Sequence, residues 1–296
     1  MNRSPIILCL VAIIAFLSAS PSAVAGPYVF GISDDSKIHQ VDLTDFTDSI
    51  VFDTGLPGLT NGVAWDEDGG RLYYRNKEDS SLYFWTRSTN TQQVLTGPAL
   101  PTGFNANAAM YNGAYWYVED GTDTLVRASF DFSLPNSPII GNVESFDDFD
   151  GSMLTSFYFG DVSISSSGIL YGSSDHGLFS VDISGPSPSD FRIVAPSFGV
   201  RQFGFDPSKS FLYTQDYETG QWYTSDLNGL ENSLNQASNV PFATTPLRDI
   251  GDVIGELPEP AVWQSLLLGL FALAVHRFGW SSLRARMCAA KSRTAV

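Results

Sequence analysis

Four oxygen-bearing side chains stand in or at the head of short apolar segments of this 296-residue chain: Asn61 in NGVAW, Asn107 in NAAMY, Asp161 in GDVSI and Asp252 in GDVIG. Two carboxylates and two amide oxygens are hard ligands that suit calcium far better than zinc. Carboxylates brought together without a cation repel each other, so a metal, ordered water or a base must compensate. Arg201, which with Gln202 heads a fifth segment, RQFGF, is the simplest compensator because it needs no added ion. The acid-rich stretches DEDGG (66–70) and DDFDGS (147–152) resemble calcium loops, yet neither has alternating ligands closed by a bidentate Glu, and Asp and Gly are what tight strand-to-strand turns require.

Other chemistry has less support. The region between the termini holds two histidines, His39 and His176, with no H-x-H or H-x-x-x-H spacing for zinc. Serines lie near them in sequence, but no G-x-S-x-G elbow appears, so no catalytic residue is assigned. Aromatic pairs such as Tyr73-Tyr74, Phe84-Trp85 and Trp222-Tyr223 suit sugar stacking, and they suit a packed core better.

The elements that must position these residues repeat. One phrase returns four times: a short strand, a Gly/Asp turn, an aromatic strand, a polar turn and a further strand. NGVAW-DEDGG-RLYYRN-KEDS-SLYFWTR-(…)-TQQVLTG is the fullest copy. The first strands begin near 61, 107, 160 and 201, with a further candidate at 251. Intervals of about 40 to 50 residues with four strands each are the blade length of a β-propeller. The ends complement each other: 28–55 reads as three strands without a leading one, and DIGDVIG (249–255) as a leading strand without a blade. The expectation is an all-β, five-bladed β-propeller closed by N- and C-terminal strands, with the polar strand heads gathered at one mouth of its channel. A β-sandwich is the alternative, and it does not need this repeated order of turns.

The blade wording, N-G-V-A-W-D-E-D-G-G-R-L-Y-Y at 61–74 and F-D-P-S-K-S-F-L-Y at 205–213, resembles NHL/YVTN-type and gluconolactonase-like propellers. That resemblance implies a channel-mouth metal, with Asn61 matching the family's ligand Asn and Asp161 matching its Asp. Val162 follows where the family prefers Gly, and the E-G-P-x-W segment that brings its Glu is absent.

All 32 acids lie between Asp34 and Glu259, where only ten Lys/Arg occur, a net of −22. Such a surface repels phosphate backbones, which excludes nucleic acid as a partner. Before this region, Arg3, the apolar run Ile6–Leu17 and Ala23-Val24-Ala25 form a signal peptide over 1–25, cleaved between Ala25 and Gly26. No cysteine occurs between Gly26 and Glu256, so the exported domain (26–256) folds without disulfides.

The tail, 257–296, has three parts: Pro258-Glu259-Pro260, an apolar stretch that reads as one transmembrane helix over 261–280, and a basic end over 281–296. The cations hold the end in the cytoplasm and leave the propeller outside. The tail resembles the PEP-CTERM sorting signal of bacterial envelopes, which implies an exosortase-type membrane enzyme as processing partner and an exopolysaccharide or biofilm setting. A plain single-pass anchor is the alternative. Three roles follow: an exported surface or matrix protein whose propeller binds a ligand, extracellular polysaccharide among the candidates; a calcium-dependent lactonase-like enzyme; or a structural coat protein without a small ligand. The first is favoured because no catalytic set is visible, and a cofactor is expected only as calcium in the second.

Overall fold

A computed structural model of the chain describes residues 27–254, apart from 102–106, 120–121, 123, 135–136, 152–158, 197, 207–210, 228–230 and 234–242. The signal peptide, the Pro258-Glu259-Pro260 motif and the tail helix lie outside the described residues.

Among the described residues, twenty strands form five four-stranded antiparallel sheets, the blades of a five-bladed β-propeller. Blade 2 runs β4 (Thr60–Asp66), β5 (Arg71–Asn76), β6 (Leu82–Thr86) and β7 (Thr91–Val94). Blade 3 is β8 (Ala109–Tyr111), β9 (Ala114–Val118), β10 (Thr124–Asp131) and β11 (Ile139–Asp147). Blade 4 is β12 (Phe159–Ile164), β13 (Ile169–Ser174), β14 (Gly177–Asp182) and β15 (Ser189–Ala195). Blade 5 is β16 (Gln202–Asp206), β17 (Phe211–Gln215), β18 (Trp222–Asp226) and β19 (Glu231–Ser233). Blade 1 joins both ends of the domain: β20 (Leu247–Ile250) pairs with β1 (Tyr28–Ser33), followed by β2 (Lys37–Asp42) and β3 (Asp48–Asp53). The innermost strands contact one another in a closed ring, β4 to β8, β12, β16, β20 and back to β4.

Burial follows position in the blade. β5 is buried at every residue, whereas outer β7 is largely exposed. Central strands are covered on both faces by neighbouring blades, so they read as continuous apolar and aromatic runs rather than alternating ones. Each blade interface has its own core. Tyr73 and Phe84 meet Tyr115, Tyr117 and Val126 between blades 2 and 3; Trp116 and Leu125 meet Leu170 and Phe179 between blades 3 and 4. Leu178 packs on Phe203 and Leu212, and Tyr213 and Trp222 pack on Val29, Val41 and Leu247. Phe30 lies 4.9 Å from Trp65 and 5.4 Å from Trp85, joining blades 1 and 2. The aromatic pairs are core: Tyr73, Tyr74, Phe84, Trp85 and Trp222 are all buried.

In blades 1 and 3, two elements differ from the sequence expectation. The fourth strand of blade 3, β11, had no counterpart in the repeat, because this outer strand is half-exposed and carries a polar sequence, IIGNVESFD. The closing strand begins at Leu247 rather than 249. Gly31 pairs with Ile250, Ile32 with Asp249 and Ser33 with Leu247, across a bulge at Ile32/Ser33. Leu247 and Ile250 are the buried anchors that set this register. Gly31 is required there, since a Cβ would come within 2.6 Å of Leu247 Cδ1 and 2.9 Å of the Asp249 carbonyl oxygen. Downstream, the chain is held by an isolated bridge between Tyr28 and Ile254.

Candidate functional site: the channel and its mouth

The inner edge of every blade faces the channel, so its strand has backbone N–H groups with no ladder partner. Such groups need acceptors once buried. Side chains on the neighbouring inner strand supply them. The Val63 N–H on β4 donates to Asp249 Oδ2 at 2.7 Å. Asp161 Oδ2 accepts from Phe203 on β16 at 3.3 Å and from Ile250 on β20 at 3.4 Å, while its Oδ1 accepts its neighbour Val162 at 2.7 Å. Ser163 Oγ accepts the Phe205 N–H at 3.1 Å. Asn107 Oδ1 accepts the Val118 N–H at 2.9 Å within blade 3. Asp249, Asp161 and Ser163 thereby staple neighbouring blades from inside the ring, while Asn107 braces its own blade.

Asp161 and Asp249 are both fully buried and adjoin each other. Burial, then the charge and hydrogen bond of Asp249, push the Asp161 carboxyl well above its usual range. Burial pushes Asp249 up to about 8, against hydrogen bonds from Asp161, Val63 and Ile250. Two carboxylates in contact away from water cannot both ionise, so near neutral pH the pair keeps at least one proton. At Asn61 and Asn107, the matching points of the repeat in blades 2 and 3, the buried residue is a neutral amide instead.

The sequence-predicted residues therefore divide. Asn61, Asn107 and Asp161 are buried on or beside the inner strands, and Asp161 meets Asp249, which sequence reading passed over in favour of Asp252. The overlooked signal was Leu247 and Ile250, whose burial sets the register of β20. Asp252 lies past the end of β20 and accepts from Ser163 Oγ. Asn61 Oδ1 is buried without a hydrogen-bond partner. Among the described residues no three His, Cys, Asp or Glu side chains cluster as a metal site. The Arg201 guanidinium pairs with Asp216 at 3.0 Å and lies over the Tyr223 ring. Its backbone carbonyl, instead, accepts the Asp161 N–H at 2.9 Å.

The acid-rich stretches are turns. In 66–70, Asp66 accepts the Gly69 N–H and pairs with Arg71 at 3.3 Å. In 147–151, Asp147 ends β11 and accepts from Thr124 Oγ1, and Asp148 and Gly151 have φ of 56° and 67°.

Blade 1 contains a Ser–His–Asp series that the sequence motifs did not show. His39 Nδ1 is 2.8 Å from Asp48 Oδ1, and His39 Nε2 is 3.0 Å from Ser33 Oγ. The atom order matches a hydrolytic relay. The surroundings oppose nucleophilic attack: Ser33 is only 4% exposed, and its Oγ donates to Asp35, whose carboxylate would repel an oxyanion. Asp48 Oδ2 also accepts the Thr245 N–H at 3.1 Å, so the series ties β1, β2 and β3 to the segment before β20.

One mouth of the channel opens into a pocket of about 320 Å³ to which all five blades contribute, with Trp65, Tyr111, Ile164, Phe205 and Asp252 among its walls. The β4–β5 turn adds Asp66, Glu67 and Asp68 to the rim. Burial raises Asp252 to about 6, against the bond from Ser163.

No family model and no curated protein matches the chain. Among solved structures, one described as a nidogen/laminin complex aligns at 14% identity over 77% of this chain and 81% of its own, with a TM-score of 0.48. Virginiamycin B lyase from Staphylococcus aureus aligns at 15% identity over 74% and 72%, TM-score 0.43. An auxiliary nutrient binding protein from Bacteroides thetaiotaomicron aligns at 12% identity over 71% and 56%, TM-score 0.47. These likenesses assign neither a ligand nor an activity to this chain.

Proposed function

We propose that this is an exported envelope or extracellular-matrix protein, sorted by its Pro258-Glu259-Pro260 tail, whose propeller binds extracellular polysaccharide at the channel mouth. The observation that carries the binding reading is the mouth pocket, walled by aromatic and apolar side chains from five blades and rimmed by polar groups. Concave sites where several elements converge, with apolar walls and placed polar groups, are where small ligands seat, and the mixed polar and apolar lining here suits a hydroxyl-rich ring. Its volume admits a sugar unit rather than a folded partner. The test is titration of exopolysaccharide fragments from the host into the protein and into Tyr111→Ala. Saturable binding that the substitution weakens supports the reading, and binding indifferent to it places the ligand elsewhere.

A calcium-dependent lactonase-like enzyme is the second reading, favoured by the adjoining Asp161 and Asp249 carboxylates and the unpartnered Asn61 Oδ1. An ion on Asn61, Asn107, Asp161 and Asp252 would have to compete with the N–H groups that Asn107 and Asp161 already accept and with Ser163 on Asp252. Calcium titration separates the readings: heat of binding lost in Asp161→Asn favours the enzyme.

A further inference from the structure

We propose that the mouth pocket is a seat for a protonated amine carried on a sugar ring, with Asp252 as its counter-ion; this rests on the glycan-binding reading above. The pocket wall carries Asp252, with Glu67 and Asp68 on the rim, and no Lys, Arg or His. Asp66, the remaining acid, is already paired with Arg71. Asp252 is half-buried, and its side chain is met by the Ser163 hydroxyl and the Phe205 backbone N–H, both neutral donors. A carboxylate withdrawn from water and matched only by neutral donors, with no cation in the pocket lining, keeps its charge unneutralised, and a cationic ligand corrects this.

The shape of the wall narrows the cation further. Trp65 and Phe205 form the buried floor of the same space and Tyr111 is its partly exposed aromatic, and an aromatic face accepts both the C–H face of a ring and an adjacent positive charge. A bare metal ion would leave the Tyr111 ring unused. A neutral sugar would leave Asp252 uncompensated, and an acidic sugar would be repelled by it. An amino sugar uses both kinds of wall. No step of chemistry is implied, since the site holds a charge and does not transfer one.

The groups that bear on the titration of Asp252 are few. The β4–β5 turn brings Asp66, Glu67 and Asp68, with Arg71 held on Asp66; the pocket residues of the β8–β9 and β12–β13 turns, Asn112, Gly113, Ser165 and Ser166, are uncharged; β16 contributes Phe205 to the wall and ends at Asp206. Since burial places Asp252 near 6, an amine should bind more weakly at pH 5 than at pH 7.

The test titrates the full solubilised chain with three probes at pH 7: a glucosamine oligosaccharide, the same oligosaccharide fully N-acetylated, and spermidine. The expected result is binding of the free-amine oligomer about tenfold or more tighter than its acetylated form, the size of a charge-assisted hydrogen bond. Asp252→Asn should abolish that preference, and the exposed rim pair Glu67→Gln/Asp68→Asn, which leaves the wall intact, should reduce it. Equal binding of the two oligomers, or a preference untouched by both variants, overturns this inference and leaves the glycan reading standing. Spermidine matching the amine oligomer overturns the sugar component and with it the glycan reading. No binding of any probe overturns the inference.

Discussion

The shared proton between Asp161 and Asp249 makes a measurable demand on stability. Both carboxyls are raised above their unfolded values, Asp249 to about 8. Between about pH 4 and pH 8 the folded protein therefore keeps a proton that the unfolded chain has released. Stability from this source is fully present at low pH and falls as pH rises through that window, by at most about 1.4 kcal/mol per pH unit for each proton retained. Asp161→Asn supplies a neutral side chain of the same shape permanently. Denaturant melts of the variant should show a shallower decline between pH 5 and pH 8 and a higher midpoint than the parent at pH 8. A parallel pair of pH profiles would mean that the two carboxyls do not share a proton.

Among elements, the closing strand carries the most. β20 completes blade 1, fills the core with Leu247 and Ile250, and sends Asp249 across to β4. Its N-terminal end is also tied to blade 5, where Gln215 Oε1 accepts the Leu247 N–H at 2.8 Å. Removing residues 247–254 would expose the inner edge of β1 and leave the Val63 N–H without its acceptor. An open strand edge is a template for pairing with another chain. The deletion should aggregate and lose its cooperative transition in thermal melts followed by light scattering. A milder change, Asp249→Ala, should cost about 1–3 kcal/mol, the penalty of an unsatisfied buried donor, read from urea midpoints. The same logic explains Gly31→Ala, which has no room against Leu247 and should destabilise more than an exposed glycine substitution.

For the whole molecule, the charge and the two terminal segments set the expectations. Thirty-two acids against sixteen bases keep the chain far from neutrality, with six of those bases in the terminal segments outside the acid-bearing region. The sorting reading expects a mature protein that begins at Gly26 and ends near Pro260, measured as intact mass from the native host. Replacing Pro258-Glu259-Pro260 by alanines should retain the protein in the membrane with its tail. A surface-exposed mature form that keeps Val296 would leave a plain anchor as the explanation.

Blade architecture was legible because it is written locally: turn residues, aromatic central strands and the interval between blades lie within each repeat. Even the closure could be read, since 28–55 lacked a leading strand and the end of the domain offered one. The fourth strand of blade 3 escaped, because a half-exposed outer strand has no apolar signal to separate it from loop. The site was legible only as residue types. Polar groups at the strand heads marked the channel, but their partners depend on register, and a shift of the closing strand exchanges Asp252 for Asp249 beside Asp161. The Ser33–His39–Asp48 series likewise exists only because three strands of one sheet bring distant positions into contact. Sequence determined the blades, since hydrophobic burial and turn chemistry act over a few residues. Tertiary structure decided which acids share a proton, which face the pocket and which brace a sheet, since those outcomes depend on packing between segments far apart in the chain.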